Sequence, residues 1–129
     1  MIKELNISTE RKEQFIDITK EVQKAISDTK EGICVVFTPH TTAAITINEN
    51  ADPDVDHDIV MKLKKIASDN SFRHSEGNSD AHVKSSLVGA SETVIIKDSK
   101  LILGTWQGVK FCEFDGPRQR KILIKIIKE

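Results

Sequence analysis

Phe37-Thr38-Pro39-His40-Thr41-Thr42-Ala43-Ala44-Ile45-Thr46-Ile47-Asn48-Glu49 joins two apolar, β-branched runs through a break that carries a proline, a histidine and two hydroxyls. Upstream, Ile33-Cys34-Val35-Val36-Phe37 is apolar on both faces, as in a central strand covered on two sides. Downstream, Ile45 and Ile47 alternate with Thr46 and Asn48, a strand of period two over Ala43 to Asn48. Proline fixes its own φ and holds Thr38 in the extended region. His40 therefore stands on stiff backbone at the mouth of a sheet, placed to act as a ligand or a base. The same position also suits a histidine that only caps a strand end.

Working outward, Asp52-Pro53 is a helix start with the aspartate as cap and proline at the first helical position. Val55, Ile59, Leu63 and Ile66 share one face of the helix it opens, which ends near Ala67. Asp54 and Asp56 suit the positive end of its dipole; Asp58 lies further in and is kept as a candidate site residue, while His57 is off the apolar face and solvated. Ser68 to Asp80 is a polar loop that includes Asn70, Ser71, Gly77 and Asn78. A short helix, Ala81 to Val88, follows with Ser79 or Asp80 as its cap and Gly89 as its stop. On the N-terminal side, Ile2 to Ser8 and Gln14 to Ile18 read as short strands. Thr19 caps a helix from Lys20 to about Asp28. Glu92 to Ile96, Leu101 to Leu103, Val109 to Phe114 and Lys121 to Ile127 complete the strands, with Lys97 to Lys100 as a hairpin turn. The expectation is an α+β fold of antiparallel sheets with two or three flanking helices, in one domain spanning 1–129.

Composition narrows the partners. Nineteen basic residues against 20 acidic ones, a formal charge of -1, supply no field for nucleic acid or an anionic membrane. With 38% hydrophobic and 30% charged residues the chain reads as a soluble globular protein. No apolar run reaches transmembrane length, and Met1-Ile2-Lys3-Glu4 lacks the layout of a signal peptide. Cys34 and Cys112 fall in apolar runs, as buried free thiols do in a reducing cytoplasm, the expected location.

Three histidines are the main candidates for chemistry. His82, in the first turn of a helix, is kept neutral by the dipole and is available as a ligand. His74 lies on the loop before it, and His40 arrives from the sheet. Three imidazoles with an open fourth position form the donor set of a catalytic zinc ion, although no compact zinc spacing is present. Thr41, Thr42 and Asn48 offer neutral donors and acceptors, and Glu49 a carboxylate that can orient a ligand or act as general base; each also serves as an ordinary turn or edge residue. Trp106 with Gln107 pairs an apolar plate with an amide, and a core tryptophan is the plainer alternative. Arg118 can hold a phosphate, or belong with Arg120 and Lys121 to a solvated basic edge; Lys84 has the same two readings.

In order, Thr38-Pro39-His40-Thr41-Thr42-Ala43-Ala44, Asn48-Glu49, His74, Ala81-His82-Val83-Lys84-Ser85-Ser86-Leu87, Leu103-Gly104-Thr105-Trp106-Gln107 and Glu113-Phe114-Asp115-Gly116-Pro117-Arg118 resemble the YjbQ-like family, also called secondary thiamine-phosphate synthases. The resemblance runs from about Ile7 to the C-terminus. It implies an α+β fold of antiparallel sheets and flanking helices, assembled as a homotrimer. For some members it implies a weak thiamine-phosphate synthase activity, joining an aminopyrimidine diphosphate to a thiazole phosphate with loss of diphosphate. His40, His74 and His82 match the family's three histidine positions, which suit a metal or an anion. The connector Ser75 to Asp80 varies in the family, so Glu76 and Asp80 are given no role.

The expected mechanism places a divalent metal ion on His40, His74 and His82, with zinc the first choice and magnesium or manganese left open. It would neutralise a diphosphate leaving group while Lys84, Arg118, Thr41 and Thr42 contact phosphate and Trp106 flanks the heterocycle. The alternatives are a trimeric protein that binds a small phosphorylated molecule or anion without turnover, and a metal-dependent hydrolase with Glu49 as base.

Overall fold

A computed structural model of the chain describes residues 1–68 and 71–129. Its elements are β1 (Ile2–Ser8), β2 (Gln14–Asp17), α1 (Thr19–Ala25), β3 (Glu31–Phe37), β4 (Ala43–Glu49), α2 (Pro53–Ile66), α3 (Ser79–Val88), β5 (Ser91–Lys97), β6 (Lys100–Leu101), β7 (Gln107–Glu113) and β8 (Gln119–Lys128). Pro39 separates more than two strands: it separates two sheets. β3 lies inside a five-stranded sheet of order β1-β8-β3-β5-β6, and β4 edges a three-stranded sheet of order β2-β7-β4. Every pairing is antiparallel. The fold is α+β, as the sequence pattern requires.

The sheets stack face to face over the main core. Cys34, Val36, Val94, Ile96, Ile122, Ile124 and Ile126 from the large sheet meet Ala43, Ile45, Val109 and Phe111 from the small one, with Ile18, Val22 and Ile26 around α1 closing one side. Each such aliphatic or aromatic side chain contributes about 1.5–3 kcal/mol when removed from water. The other face of the small sheet packs against the two longer helices: Ala44, Cys112 and Phe114 meet Leu63 of α2 and Ala81 of α3. The small sheet is thus the layer covered on both sides.

That outcome corrects the reading of β3. Cys34 and Val36 are buried, but Phe37 is 39% exposed, as are Ile95 (60%) and Ile127 (49%) on the neighbouring strands. β3 is central in its sheet and covered on one face only by the described residues of the chain.

Local details differ where side chains compete for backbone groups. Thr19 is the first residue of α1 and not its cap: Ile18 holds the cap position without a side-chain bond, and Asp17 before it accepts from the Thr19 amide at 2.9 Å and the Thr19 hydroxyl at 2.5 Å. The helix stops at Ala25, before the expected Asp28, where the Ser27 hydroxyl takes the Lys24 carbonyl at 2.9 Å. Asp52 caps α2 as expected, accepting from the Asp54 amide at 2.9 Å. The buried stripe of that helix ends with Leu63 and Ala67, leaving Ile66 55% exposed. α3 begins at Ser79 after Asn78, with no side-chain cap from Ser79 or Asp80. The hairpin after β5 turns on Asp98 and Ser99, both at positive φ (52° and 60°), the geometry of a two-residue type I′ loop. Asn70 of the expected long loop lies outside the described residues.

Candidate functional site

Four pieces of chain meet at the end of the small sheet where β4 begins. The β3–β4 connection brings Pro39, His40, Thr41 and Thr42; the segment before α3 brings His74, Glu76 and Asn78. α3 itself adds His82, and the turn into β8 adds Asp115, Arg118 and Arg120. Together they line an open basin of about 510 Å³. The three sequence-predicted histidines share it. His74 and His82 stand edge to face with ring centroids 5.3 Å apart, and His74 Nδ1 lies 2.9 Å from the Ser79 hydroxyl.

The floor of the basin is a buried ion pair. Arg120 Nε donates to Glu113 Oε1 at 2.8 Å, and its Nη2 donates to Glu113 Oε2 and to the Thr42 hydroxyl at 2.9 Å. Glu113 also accepts from the Thr9 hydroxyl at 2.7 Å and the Asp115 amide at 3.0 Å. Burial pushes the Glu113 carboxyl up, but Arg120 and these donors outweigh it and hold it below the usual range. Arg120 is therefore not part of a solvated edge. Arg118 is exposed; Asp115 accepts its Nε through the carbonyl at 2.7 Å and its Nη2 through the carboxylate at 2.8 Å. Asn78 Nδ2 also donates to that carboxylate at 2.9 Å.

His40 is fixed by an unusual strand contact. The β3–β8 pairing begins at Phe37 and Leu123, so the Lys121 amide lies beyond the end of β3. It donates instead to His40 Nε2 at 2.9 Å. A neutral imidazole that accepts at one nitrogen carries its proton on the other. Burial, then the Arg120 charge, lowers the His40 pKa, which favours that neutral form.

This bears on the expected metal. With Nε2 taken by the Lys121 amide, the neutral His40 ring offers Nδ1–H, a donor, and keeps no lone pair for a cation. Among the described residues no three His, Cys, Asp or Glu side chains converge as a metal set. The histidines share a basin, but in this arrangement they do not fit a three-histidine centre.

Other candidates lie elsewhere. Lys84 is 1% exposed, its ammonium 2.6 Å from Glu13 and 3.4 Å from Asp80, in a neighbouring cavity whose lining has His74 in common with the basin. Asn48, Glu49, Trp106 and Gln107 gather at the opposite end of the small sheet, where Glu49 pairs with Gln107 across β4 and β7. The seven residues of β4 put that end about 20 Å from the basin at roughly 3.3 Å per residue. Trp106 is 63% exposed there, not core. Asp58 is exposed, with His57 at 3.4 Å; the acid of α2 that reaches inward is Asp56, bonded to buried Lys110. Lys110, Glu113 and Arg120 were missed as buried groups. Period two was the available signal, since Lys110 shares a face with apolar Cys112 and Phe114.

Fold and basin together define a class: a small α+β protein of two stacked antiparallel sheets, with a histidine- and arginine-lined site at one sheet end. Comparison with known proteins is specific. Residues 3–129 match the family described as UPF0047 protein YjbQ-like. UPF0047 protein MJ1081 of Methanocaldococcus jannaschii is 56% identical over 130 residues, covering 98% of this chain and 94% of the relative. UPF0047 protein YugU of Bacillus subtilis is 50% identical over 131 residues, covering 98% and 99%. A crystal structure of a YjbQ/UPF0047 protein from Clostridium acetobutylicum superposes with a TM-score of 0.94 at 55% identity, covering 97% of this chain and 99% of that one. One from Sulfolobus solfataricus, described as a YbjQ-like protein of unknown function, gives 0.95 at 33% identity, covering 100% and 97%. The chain belongs to the UPF0047 YjbQ-like family.

Proposed function

We propose that the basin binds a small phosphorylated molecule through hydrogen-bond donors rather than through a three-histidine metal centre. The observation that carries this reading is the Lys121 amide bond to His40 Nε2, which turns Nδ1–H into a donor. Arg118 stands in the same basin. A guanidinium has five N–H donors, and Asp115 accepts two of those on Arg118. The Thr41 hydroxyl is exposed beside them. Neutral and charged donors converging on one open basin suit a phosphate or diphosphate.

The reaction to test is the transfer that the family resemblance implies, joining an aminopyrimidine diphosphate to a thiazole phosphate with release of diphosphate. In it, Arg118 and His40 would stabilise the departing diphosphate. Binding without turnover is the second reading, favoured by the engagement of the nearby carboxylates Glu113 and Asp115 in ion pairs, with Glu113 held below the usual carboxylate range. Glu49 as a hydrolytic base has no support from its position. Calorimetry with inorganic phosphate and diphosphate, with and without a chelator, followed by assay with both heterocyclic phosphates, tests this. Saturable binding that survives the chelator is expected; binding abolished by the chelator and restored by zinc would overturn it.

The assembly that suits the chain is a homotrimer, a proposal supported by the uncovered face of the five-stranded sheet with Phe37, Ile95 and Ile127. An obligate interface removes such a surface from water. Light scattering should give a mass about three times that of the chain; a clean monomer at micromolar concentration would end the idea.

A further inference from the structure

The outer face of the five-stranded sheet carries a groove. Across β1, β8 and β3, Ile2 lies opposite Lys125, Lys125 opposite Val35, and Leu123 opposite Phe37. These five residues line an open space of about 290 Å³, and their side chains are apolar apart from the Lys125 ammonium.

The chain also has a knob, beyond the opposite edge of that sheet. The connection that follows edge strand β6 and leads to β7 carries half-exposed Ile102 and Trp106, the latter 63% exposed. Its backbone is pinned. The Gln107 amide donates to the Gly104 carbonyl at 3.0 Å and the Gly104 amide to Gln107 Oε1 at 2.8 Å, which closes a four-residue turn with Trp106 inside it. The Asn50 amide then donates to the Trp106 carbonyl at 3.0 Å. A tryptophan on fixed backbone loses little freedom on docking, and such residues are the anchors that dominate interface energies.

Charge distinguishes the two surfaces. Beside the groove, the Lys125 ammonium and then Lys128 hold the Met1 amine below its ordinary range, because positive charge is concentrated there. Beside Trp106 the segment that carries Asn50 is acidic, with Glu49 opposite Gln107 and with Asp52 and Asp54 exposed.

Resting on the assembly proposed above, we infer that its contact is head to tail: Trp106 of one copy seats in the groove of Ile2, Val35, Phe37 and Leu123 on the next. The indole face lies against Lys125, a cation beside a π-system, and the acidic segment faces the basic rim. A contact between two different surfaces closes into a ring that leaves no groove and no knob unused.

Trp106 is the only tryptophan and the chain has no tyrosine, so intrinsic fluorescence reports this one side chain. In the wild type at micromolar concentration, acrylamide should quench it severalfold less than in the urea-unfolded chain. Trp106→Ala, in an exposed turn, should raise the concentration at which light scattering sees the assembly dissociate by at least about thirtyfold, the worth of a hot-spot tryptophan. Phe37→Lys, which puts a charge into the groove, should do the same; thermal melts establish that both variants are folded. The two variants are then mixed. Only the Phe37→Lys copy carries a tryptophan and only the Trp106→Ala copy an intact groove, so titrating in the second should shield the tryptophan of the first. A trimer whose Trp106 is quenched as freely as in the unfolded chain, or whose dissociation Trp106→Ala leaves unchanged, would overturn the inference and leave the trimer standing. A mixture without shielding would do so too. A clean wild-type monomer would overturn the trimer and the inference together.

Discussion

The two ends of the three-stranded sheet carry equally polar residues and have opposite character. At the β4 entrance, Arg120 and Glu113 are paired beneath the surface, and His40, His82 and Arg118 stand above them around open space. At the β4 exit the groups close on one another. Lys110, 2% exposed, donates to Asp56 and to the Glu49 carbonyl, and Asn50 donates to Asp17 at 3.0 Å. Both ends bury a cation against an acid. Among the described residues, the entrance then adds a second tier, His40, His82 and Arg118, that lines an open basin. A buried ion pair is a scaffold; the site is what the scaffold holds up.

Breaking the scaffold should have the largest effect. Glu113→Ala leaves Arg120 buried without its partner, and denaturant unfolding should show a loss of about 3–5 kcal/mol. Asp56→Ala should cost less, because Asp56 is more exposed than Glu113 and water can reach the gap. If the two cost the same, the ends are equivalent in this respect.

Next comes ligand binding. Arg118→Ala and His40→Ala should each weaken inorganic phosphate by about tenfold to a hundredfold, the worth of a hydrogen bond to a charged group. Glu49→Ala and Trp106→Ala, at the exit, should stay within about twofold. Calorimetry on the four variants decides it, and a loss at the exit equal to that at the entrance would relocate the site.

The smallest effect is a pH dependence. The His40 pKa is lowered in the folded chain, by burial first and then by Arg120, so the unfolded chain binds the proton more readily. Stability from this group is complete above the ordinary value of 6.5 and declines as pH falls from there through the folded pKa. His40→Gln should flatten the stability profile in that window, which urea titrations across it would reveal.

What the sequence disclosed, and what it withheld, follow from the range of the interactions. Strands and caps are local, so Pro39, Asp52-Pro53 and the period-two runs placed most elements to within a few residues. His40, His74 and His82 line one basin, and the sequence could group them because each sits in a connection or near the start of an element. Asn48, Glu49, Trp106 and Gln107 were gathered with them wrongly, since a strand has two ends and composition does not say which end faces the histidines. Arg120 was read with a solvated edge and Lys110 drew no reading, because their partners lie 7 and 54 residues away and charge alone does not disclose a distant acid. The metal expectation weakened for a similar reason: the Lys121 amide, 81 residues from His40, decides which ring nitrogen is free.

That amide has one more consequence. In a sheet the ladder ends on a carbonyl, which neither titrates nor turns. Here the rung after the β3–β8 ladder ends on a side chain that does both. A proton arriving on Nε2 removes the acceptor and releases the Lys121 N–H, whereas a ligand held by Nδ1–H keeps the ring neutral and the bond closed. The strand between β1 and β3 thus carries a single backbone hydrogen whose exchange should slow when the basin is filled.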